Sequence, residues 1–322
     1  MPATIRARRR QISARRARGA VLVLACVTLV GACSNGEPSA QAAPDGLLAL
    51  VADKNGTTLV GWDDSGEEPI PIALPKGDTT WVSAGLANVL ASALADGSTA
   101  TSDPLHLGKR LKWRAVKPVG PTGDPERGPD SFATWDPGGG RYATLSGDLL
   151  TGDDIRVVLV DPSVSTAFEI PLDRSVVAAP PAWIDSDRLV VVTGDAGEPT
   201  ATIVDAETGE LSDGPPGARL IATSANGRRI ATMAGQGAPV VVRDTTAWLA
   251  DDGSSIASIA PAGEATTAIA FALDATGQRL VVAWADRKGA VTLAIHDARA
   301  DWRRIAQPEI GPARGAVVSW LR

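Results

Sequence analysis

Apolar and polar positions come in short bursts through most of the chain, and the stretch Pro181–Leu211 shows the rule most clearly. A run closing on Trp183 meets an Asp/Ser turn. A second run covers Leu189 to Val192, a Gly/Pro turn interrupts it, and a third run from Thr200 to Val204 ends on Asp205. Brief runs of Val, Ala, Leu and Ile bounded by turn formers predict three strands of an antiparallel meander. No segment after residue 33 holds a helical period over three turns.

The unit repeats. Apolar segments close on Trp81, Trp135, Trp183, Thr223, Ala272 and Trp320, which lie 54, 48, 40, 49 and 48 residues apart. After most of them comes a turn and a second strand, as in Gly138-Gly139-Gly140-Arg141-Tyr142 and Asn226-Gly227-Arg228-Arg229-Ile230, and third strands end on Asp161, Asp205, Asp244 and Asp297. A period of 40–50 residues built from three or four strands predicts an all-β propeller of four-stranded antiparallel blades. The quoted residues resemble the WD40/TolB-type propeller families, whose blades often carry a Trp-Ser-Pro-Asp-Gly-Arg-like hairpin. Trp135-Asp136-Pro137-Gly138-Gly139-Gly140-Arg141 is the nearest match, and the resemblance covers residues 47–322 loosely.

The ends set the blade number. Val317 to Leu321 supplies an inner strand with nothing after it, whereas Leu47 to Val51, Thr57 to Trp62 and Ile70 to Ala73 supply three strands with no inner strand before them. Joined, they make one blade of six and close the ring without an open edge. Strands hidden in Lys117–Ser131 or Ala250–Thr267 would instead make seven.

The first 46 residues read differently. Residues 1–18 hold seven arginines and no acid, Ala20 to Val30 is apolar, and Val30-Gly31-Ala32-Cys33 follows, a basic region, an apolar region and a small-residue cleavage site. The tetrapeptide resembles a bacterial lipobox, and the resemblance implies cleavage after Ala32 and acylation of Cys33, which then anchors the protein in the lipid bilayer. Residues 1–32 are thus expected to be a lipoprotein signal peptide, 33–46 a lipidated cysteine and polar tether, and 47–322 the propeller. An uncleaved membrane helix is the competing reading, though the apolar run is short for a span. Arg9-Arg10 leaves Sec and twin-arginine export both open. The 25 arginines against six lysines, with abundant alanine, resemble the usage of high-GC, actinobacterial-type proteins. The expected location is the outer face of the cytoplasmic membrane.

Composition then narrows the chemistry. Losing the seven leader arginines takes the formal charge from −6 to −13, which disfavours nucleic acid as a partner. Both cysteines, Cys26 and Cys33, precede the body, and His106 and His296 are the two histidines, so a body disulfide, thiolate metal site or clustered-imidazole centre is not expected. No Gly-x-Ser-x-Gly elbow, phosphate-binding loop or dinucleotide fingerprint occurs. No cofactor, metal ligand or catalytic residue is assigned.

Large flat side chains at the repeat position, Trp81, Trp135, Trp183 and Trp320, are expected to pack between blades. Trp248 and Trp302, in or beside polar connections, are the candidates for a surface contact among the tryptophans, with packing the favoured reading for both. His296 reads as a satisfied sheet histidine, the repeated arginines as hairpin partners of blade aspartates, and the acidic clusters at residues 63–68, 153–154 and 251–252 as solvated loops. The leading functional expectation is an extracytoplasmic protein-binding or scaffold module that presents one rim to an envelope protein or cell-wall partner. The alternative is a propeller hydrolase, lyase or small-ligand sensor using carboxylates and arginines at the channel mouth, which would be marked by several of Asp136, Asp185, Asp274, Arg141 and Arg279 converging on one pocket with at least one strongly perturbed pKa.

Overall fold

A computed structural model describes residues 46–321 apart from 63–67, 77–78, 86–87, 93–98, 106, 108–109, 117–129, 150–152, 164–165 and 195–196. Ala32, Cys33, most of the tether, most of the first acidic cluster and His106 lie outside the described residues.

The strands follow the sequence pattern in chain order. Blade 1 takes β1 (Leu47–Asp53), β2 (Gly56–Gly61) and β3 (Ile70–Ile72). Blade 2 takes β4 (Trp81–Ala84), β5 (Val89–Ser92), β6 (Thr99–Ser102) and β7 (Trp113–Val116). Blade 3 is β8 (Asp130–Trp135), β9 (Tyr142–Asp148), β10 (Asp153–Asp161) and β11 (Thr166–Pro171), and blade 4 is β12 (Ala182–Trp183), β13 (Arg188–Thr193), β14 (Thr200–Asp205) and β15 (Leu211–Pro216). Blade 5 holds β16 (Leu220–Thr223), β17 (Arg229–Met233), β18 (Val240–Asp244), the short helix α1 (Thr245–Leu249) and β19 (Ala257–Ile259). Blade 6 holds β20 (Ala265–Leu273), β21 (Arg279–Asp286), β22 (Val291–Asp297) and β23 (Arg303–Ala306), and β24 (Gly315–Trp320) ends the chain.

These strands form six four-stranded antiparallel sheets, so the fold is a six-bladed propeller. The C-terminal strand closes it: β24 pairs with β1 from Leu47 opposite Trp320 to Ala52 opposite Gly315, and becomes the inner strand of blade 1. Within Ala250–Thr267 the structure places β19, the fourth strand of blade 5, rather than part of a further blade.

The core lies between the sheets. Six apolar clusters are each shared by two consecutive blades, so both faces of every sheet are covered. In β13, Leu189 and Val191 face blade 3 while Val190 and Val192 face blade 5, and all four are at most 1% exposed. Two-sided burial explains why second strands read as continuous apolar runs instead of alternating. Each such side chain contributes about 1.5–3 kcal/mol when buried.

The repeat position needs two corrections. Sheet pairing makes Ala84, Trp135, Trp183, Thr223, Leu273 and Trp320 equivalent, each opposite the first or second residue of the strand that follows. Trp81 therefore stands three residues before its blade's equivalent position, opposite Ser92, and Leu273 replaces Ala272. Blade 2 has a small residue where an aromatic was expected, and its indole sits one strand length away. Phe132, at a φ of 59° beside a register shift in β8, meets the Trp81 ring edge-on at 5.5 Å.

Candidate functional site

The inner strands converge on a narrow axis. Immediately before the repeat position stand Ser83, Thr134, Ala182, Ala222, Ala272 and Ser319, one small residue per blade, and they line a central space of about 90 Å³. Strands this close admit only short side chains there. The regularity emerges only once sheet pairing fixes the register of blades 2 and 6, since Ser83 follows Trp81 by two residues and Ala272 precedes Leu273.

Hydrogen bonds stitch the ring together. Trp81 Nε1 donates to Ala133 O (3.0 Å), Trp183 Nε1 to Thr134 O (3.1 Å) and Trp320 Nε1 to Ala272 O (3.0 Å), each crossing to another blade. Thr134 Oγ1 donates to Pro181 O at 3.1 Å, and Ser319 Oγ accepts from Ala84 N at 2.9 Å. Trp135 is 2% exposed, packs edge-on against Tyr142 and abuts Gly85, where a Cβ would come to 3.0 Å from the indole. The indoles are thus interblade struts, as expected of large flat side chains.

One rim is built from the turns between first and second strands and between third and fourth strands. Asp136 Oδ1 accepts from Gly140 N (2.9 Å) and Arg141 N (3.3 Å), and Asp274 Oδ1 does the same for Gln278 N (2.8 Å) and Arg279 N (3.1 Å). The aspartates closing third strands make the same kind of turn. Asp205 Oδ1 accepts from Glu207 N and Thr208 N, Asp244 Oδ1 from Thr246 N, and Asp297 Oδ1 from Arg299 N. A short acceptor that satisfies nearby backbone N–H groups is what favours Asp at such corners. The second carboxylate oxygen of Asp244 and of Asp297 holds the arginine directly across the sheet, Arg229 Nη1 at 3.3 Å and Arg279 Nε at 3.4 Å.

Asp185 shows the balance of forces in this rim. Burial alone would raise its carboxyl, but Arg188 (Nη2 at 2.7 Å, Nε at 2.9 Å) and the N–H groups of Asp187 and Arg188 outweigh it and hold the group below the ordinary carboxylate value. Asp205, half-buried at the end of its strand, is also held low, chiefly by the Thr208 N–H, then by the Thr208 hydroxyl and the Glu207 N–H.

The hairpins also grip one another. The Arg141 guanidinium donates to Ser186 O in blade 4 and lies 5.3 Å over the Trp183 ring. Asn226 of blade 5 donates from its backbone N to Ala275 O and from Nδ2 to Thr276 O in blade 6, both at 3.0 Å. Asp136, Asp185 and Asp274 are consequently spread among three blades, each accepting hydrogen bonds within its own turn.

The remaining candidates are placed as follows. Trp248 and Trp302 are buried, at 4% and 9% exposure, so both take the packing role and neither is a surface contact. Helix α1, capped by Asp244, turns Trp248 into the cluster between blades 4 and 5, and Trp302 joins the cluster between blades 5 and 6. The polar residues around each indole mislead because a short turn suffices to point it inward. His296, 8% exposed, lies 3.0 Å by Nδ1 from Trp302 O. A carbonyl accepts only, so Nδ1 carries the proton and the neutral ring leaves Nε2 as a bare acceptor, buried and without a partner among the described residues. Only half of the satisfied-histidine expectation is therefore met. The ring borders a cleft of about 420 Å³ with Trp284, Glu264, Asp286 and Arg304. Burial first, and the Arg304 charge to a smaller degree, push the imidazole below its ordinary value against the Trp302 hydrogen bond. Among the described residues no group of three or more His, Cys, Asp or Glu is placed to hold a metal ion.

No family model matches this chain, and no curated protein sequence matches it. Solved structures do. TolB from Acinetobacter baumannii aligns at a TM-score of 0.60 with 15% identity over 85% of this chain and 66% of its own. A chain of a nidogen/laminin complex aligns at 0.56 with 10% identity over 86% of this chain and 100% of its own. A puromycin hydrolase mutant complexed with PGG aligns at 0.50 with 16% identity over 86% of this chain and 55% of its own. This chain therefore spans just under two thirds of that TolB and about half of the hydrolase, and the likeness is one of fold: a TolB-like six-bladed propeller.

Proposed function

We propose that this chain is a lipid-anchored, extracytoplasmic scaffold whose propeller binds an envelope protein through the hairpin rim. The observation that carries the reading is the interlocked rim itself. In blades 3 to 6 its described turns are fixed by their own aspartates and by contacts to neighbouring blades, while the axis beneath holds only about 90 Å³. Such a surface is preordered for a partner, and little ordering entropy is left to lose on docking. Phe168, 46% exposed on β11 and about 3.5 Å from the Cβ position of Gly209 in the next blade's turn, offers an apolar anchor among the charges. TolB and the nidogen/laminin complex are similar in fold alone and lend the reading no partner of their own.

Acylation at Cys33 would hold the body at the membrane by roughly 0.8 kcal/mol per buried CH₂, so two or three chains anchor it durably. The test is crosslinking in intact cells followed by mass spectrometry, with Cys33→Ala and Phe168→Asp compared with the native chain. One reproducible partner, lost in Cys33→Ala and reduced about tenfold in Phe168→Asp, is the expected result. A native chain that reaches the envelope and captures nothing would overturn the scaffold reading.

A further inference from the structure

A separate cleft, of about 860 Å³, opens between blades 1 and 2. Its inner wall is apolar: Leu74, Leu111 and Trp113 pack against the cluster of Ile72, Val82, Ala84 and Ala91 shared by the two sheets. Both sides are tied down. Trp113 Nε1 donates to Ala73 O at 2.7 Å, Asp103 N to Lys112 O at 2.9 Å and Thr80 N to Ser92 O at 3.0 Å, so the cavity is held open by blade structure.

Its charge sets it apart. Lys76, Arg110 and Lys112 line it, all exposed and none ion-paired among the described residues, and no described lining residue is acidic. The one nearby pair among the described residues, Arg114 with Asp103 at 2.8 Å, spends a different arginine. In the cleft between blades 5 and 6, by contrast, Arg304 shares the lining with Glu264 and Asp286. The sequence carries the same signal. Lys109-Arg110-Leu111-Lys112-Trp113-Arg114-Ala115-Val116-Lys117 has five cations in nine residues, and no acid occurs between Asp103 and Asp124, in a body whose formal charge is −13 after leader removal.

We propose that this cleft binds an amphiphilic organic anion, a carboxylate or phosphate group held by Lys76, Arg110 and Lys112 with its apolar part against Leu74, Leu111 and Trp113. The size and make-up fit, since small-molecule sites are concave, mostly apolar, about 300–1,000 Å³ and furnished with a few charged groups. Arg110 supplies a planar fork suited to either anion, and the lysines supply point charges. A net negative protein repels a dissolved anion at long range, so three local cations mark a place where that repulsion is reversed. The site does not depend on the rim scaffold, and a chain without a protein partner would still carry it.

Isothermal titration of the full chain in neutral detergent tests it, with phenyl phosphate as the amphiphilic anion, inorganic phosphate as charge alone and benzyl alcohol as apolar body alone. Vesicles of phosphatidylcholine with or without phosphatidylglycerol form the lipid arm. Two double variants of equal charge are compared: Arg110→Ser with Lys112→Ser in the cleft, and Arg287→Ser with Lys288→Ser elsewhere. The expected result is saturable 1:1 binding of phenyl phosphate, about tenfold tighter than inorganic phosphate and weakened about tenfold or more by the cleft pair only. Binding of phosphatidylglycerol vesicles alone, with the same variant dependence, assigns the anion to a lipid headgroup. No saturable binding in either arm, or equal weakening by the two variants, overturns the site.

Discussion

His296 is a single side chain whose chemistry is set by its neighbours. Asp301 and Trp302 both take left-handed backbone angles, φ 55° and 57°, and that corner brings the Trp302 carbonyl to Nδ1. The ring is held neutral by burial, with Arg304 opposing a second positive charge and Glu264 and Asp286 on the same cleft. Its folded pKa lies below the ordinary value of 6.5, so the unfolded chain takes up a proton first as the pH falls. Stability from this group is complete above the ordinary value and is lost as the pH drops toward the folded one. Urea midpoints followed from about pH 7 to about pH 5 should decline in the native chain and decline less in His296→Gln. Parallel curves would show that His296 is not the source. Asp185 and Asp205, held low, act in the opposite sense of charge and at more acid pH, where protonation removes their turn contacts.

Among the elements, the hairpins do two jobs, turning each chain segment and fitting against the next blade. Gly227 and Gly263 have nearly the same backbone angle, φ 67° and 66°, but different surroundings. A Cβ at Gly227 would meet Ile184 O at 2.5 Å, whereas nothing lies within 4 Å of one at Gly263. Gly263→Ala should therefore cost only the left-handed strain, about 1–2 kcal/mol. Gly227→Ala adds displacement of a blade 4 carbonyl that has no rotamer to retreat into, and should cost at least about 1 kcal/mol more. Denaturant melts of the two variants check this directly, and equal losses would mean that the hairpins touch without constraining one another.

For the whole molecule, closure by β24 is the contact with the longest sequence separation. It covers both the β1 edge and the cluster between blades 1 and 6, to which Ala316, Val318 and Trp320 contribute buried side chains. At about 1.5–3 kcal/mol for Val318 and for Trp320 and about 0.8 kcal/mol for the Ala316 methyl, these three alone amount to a sizeable part of the roughly 5–15 kcal/mol by which a domain is stable. A chain ending at Arg314 should lose cooperative unfolding and aggregate through the exposed β1 edge, as read by gel filtration and urea titration. A soluble, cooperatively folding truncation would show that five blades and an open sixth suffice.

The strand order, the six blades and the turn aspartates were legible in the sequence, because each rests on local chemistry: runs of apolar residues, corner formers and a period. Asp161, Asp205, Asp244 and Asp297 end third strands where the pattern put them. What escaped it depends on which residues meet across blades. Trp81 resembles the other repeat tryptophans in its local sequence, and only sheet pairing shows it three residues early. Trp248 and Trp302 sit among polar neighbours, yet a capped helical turn and a left-handed corner bury them. Lys76 is more than thirty residues from Arg110 and Lys112 along the chain, and shares their cleft only because one sheet follows another around the ring. The sequence by itself determined the units, since strand and turn formation are nearest-neighbour effects. Only the tertiary structure decided the sites, since a site is made where separate units pack, and packing selects by shape and charge across distances that the local pattern does not encode.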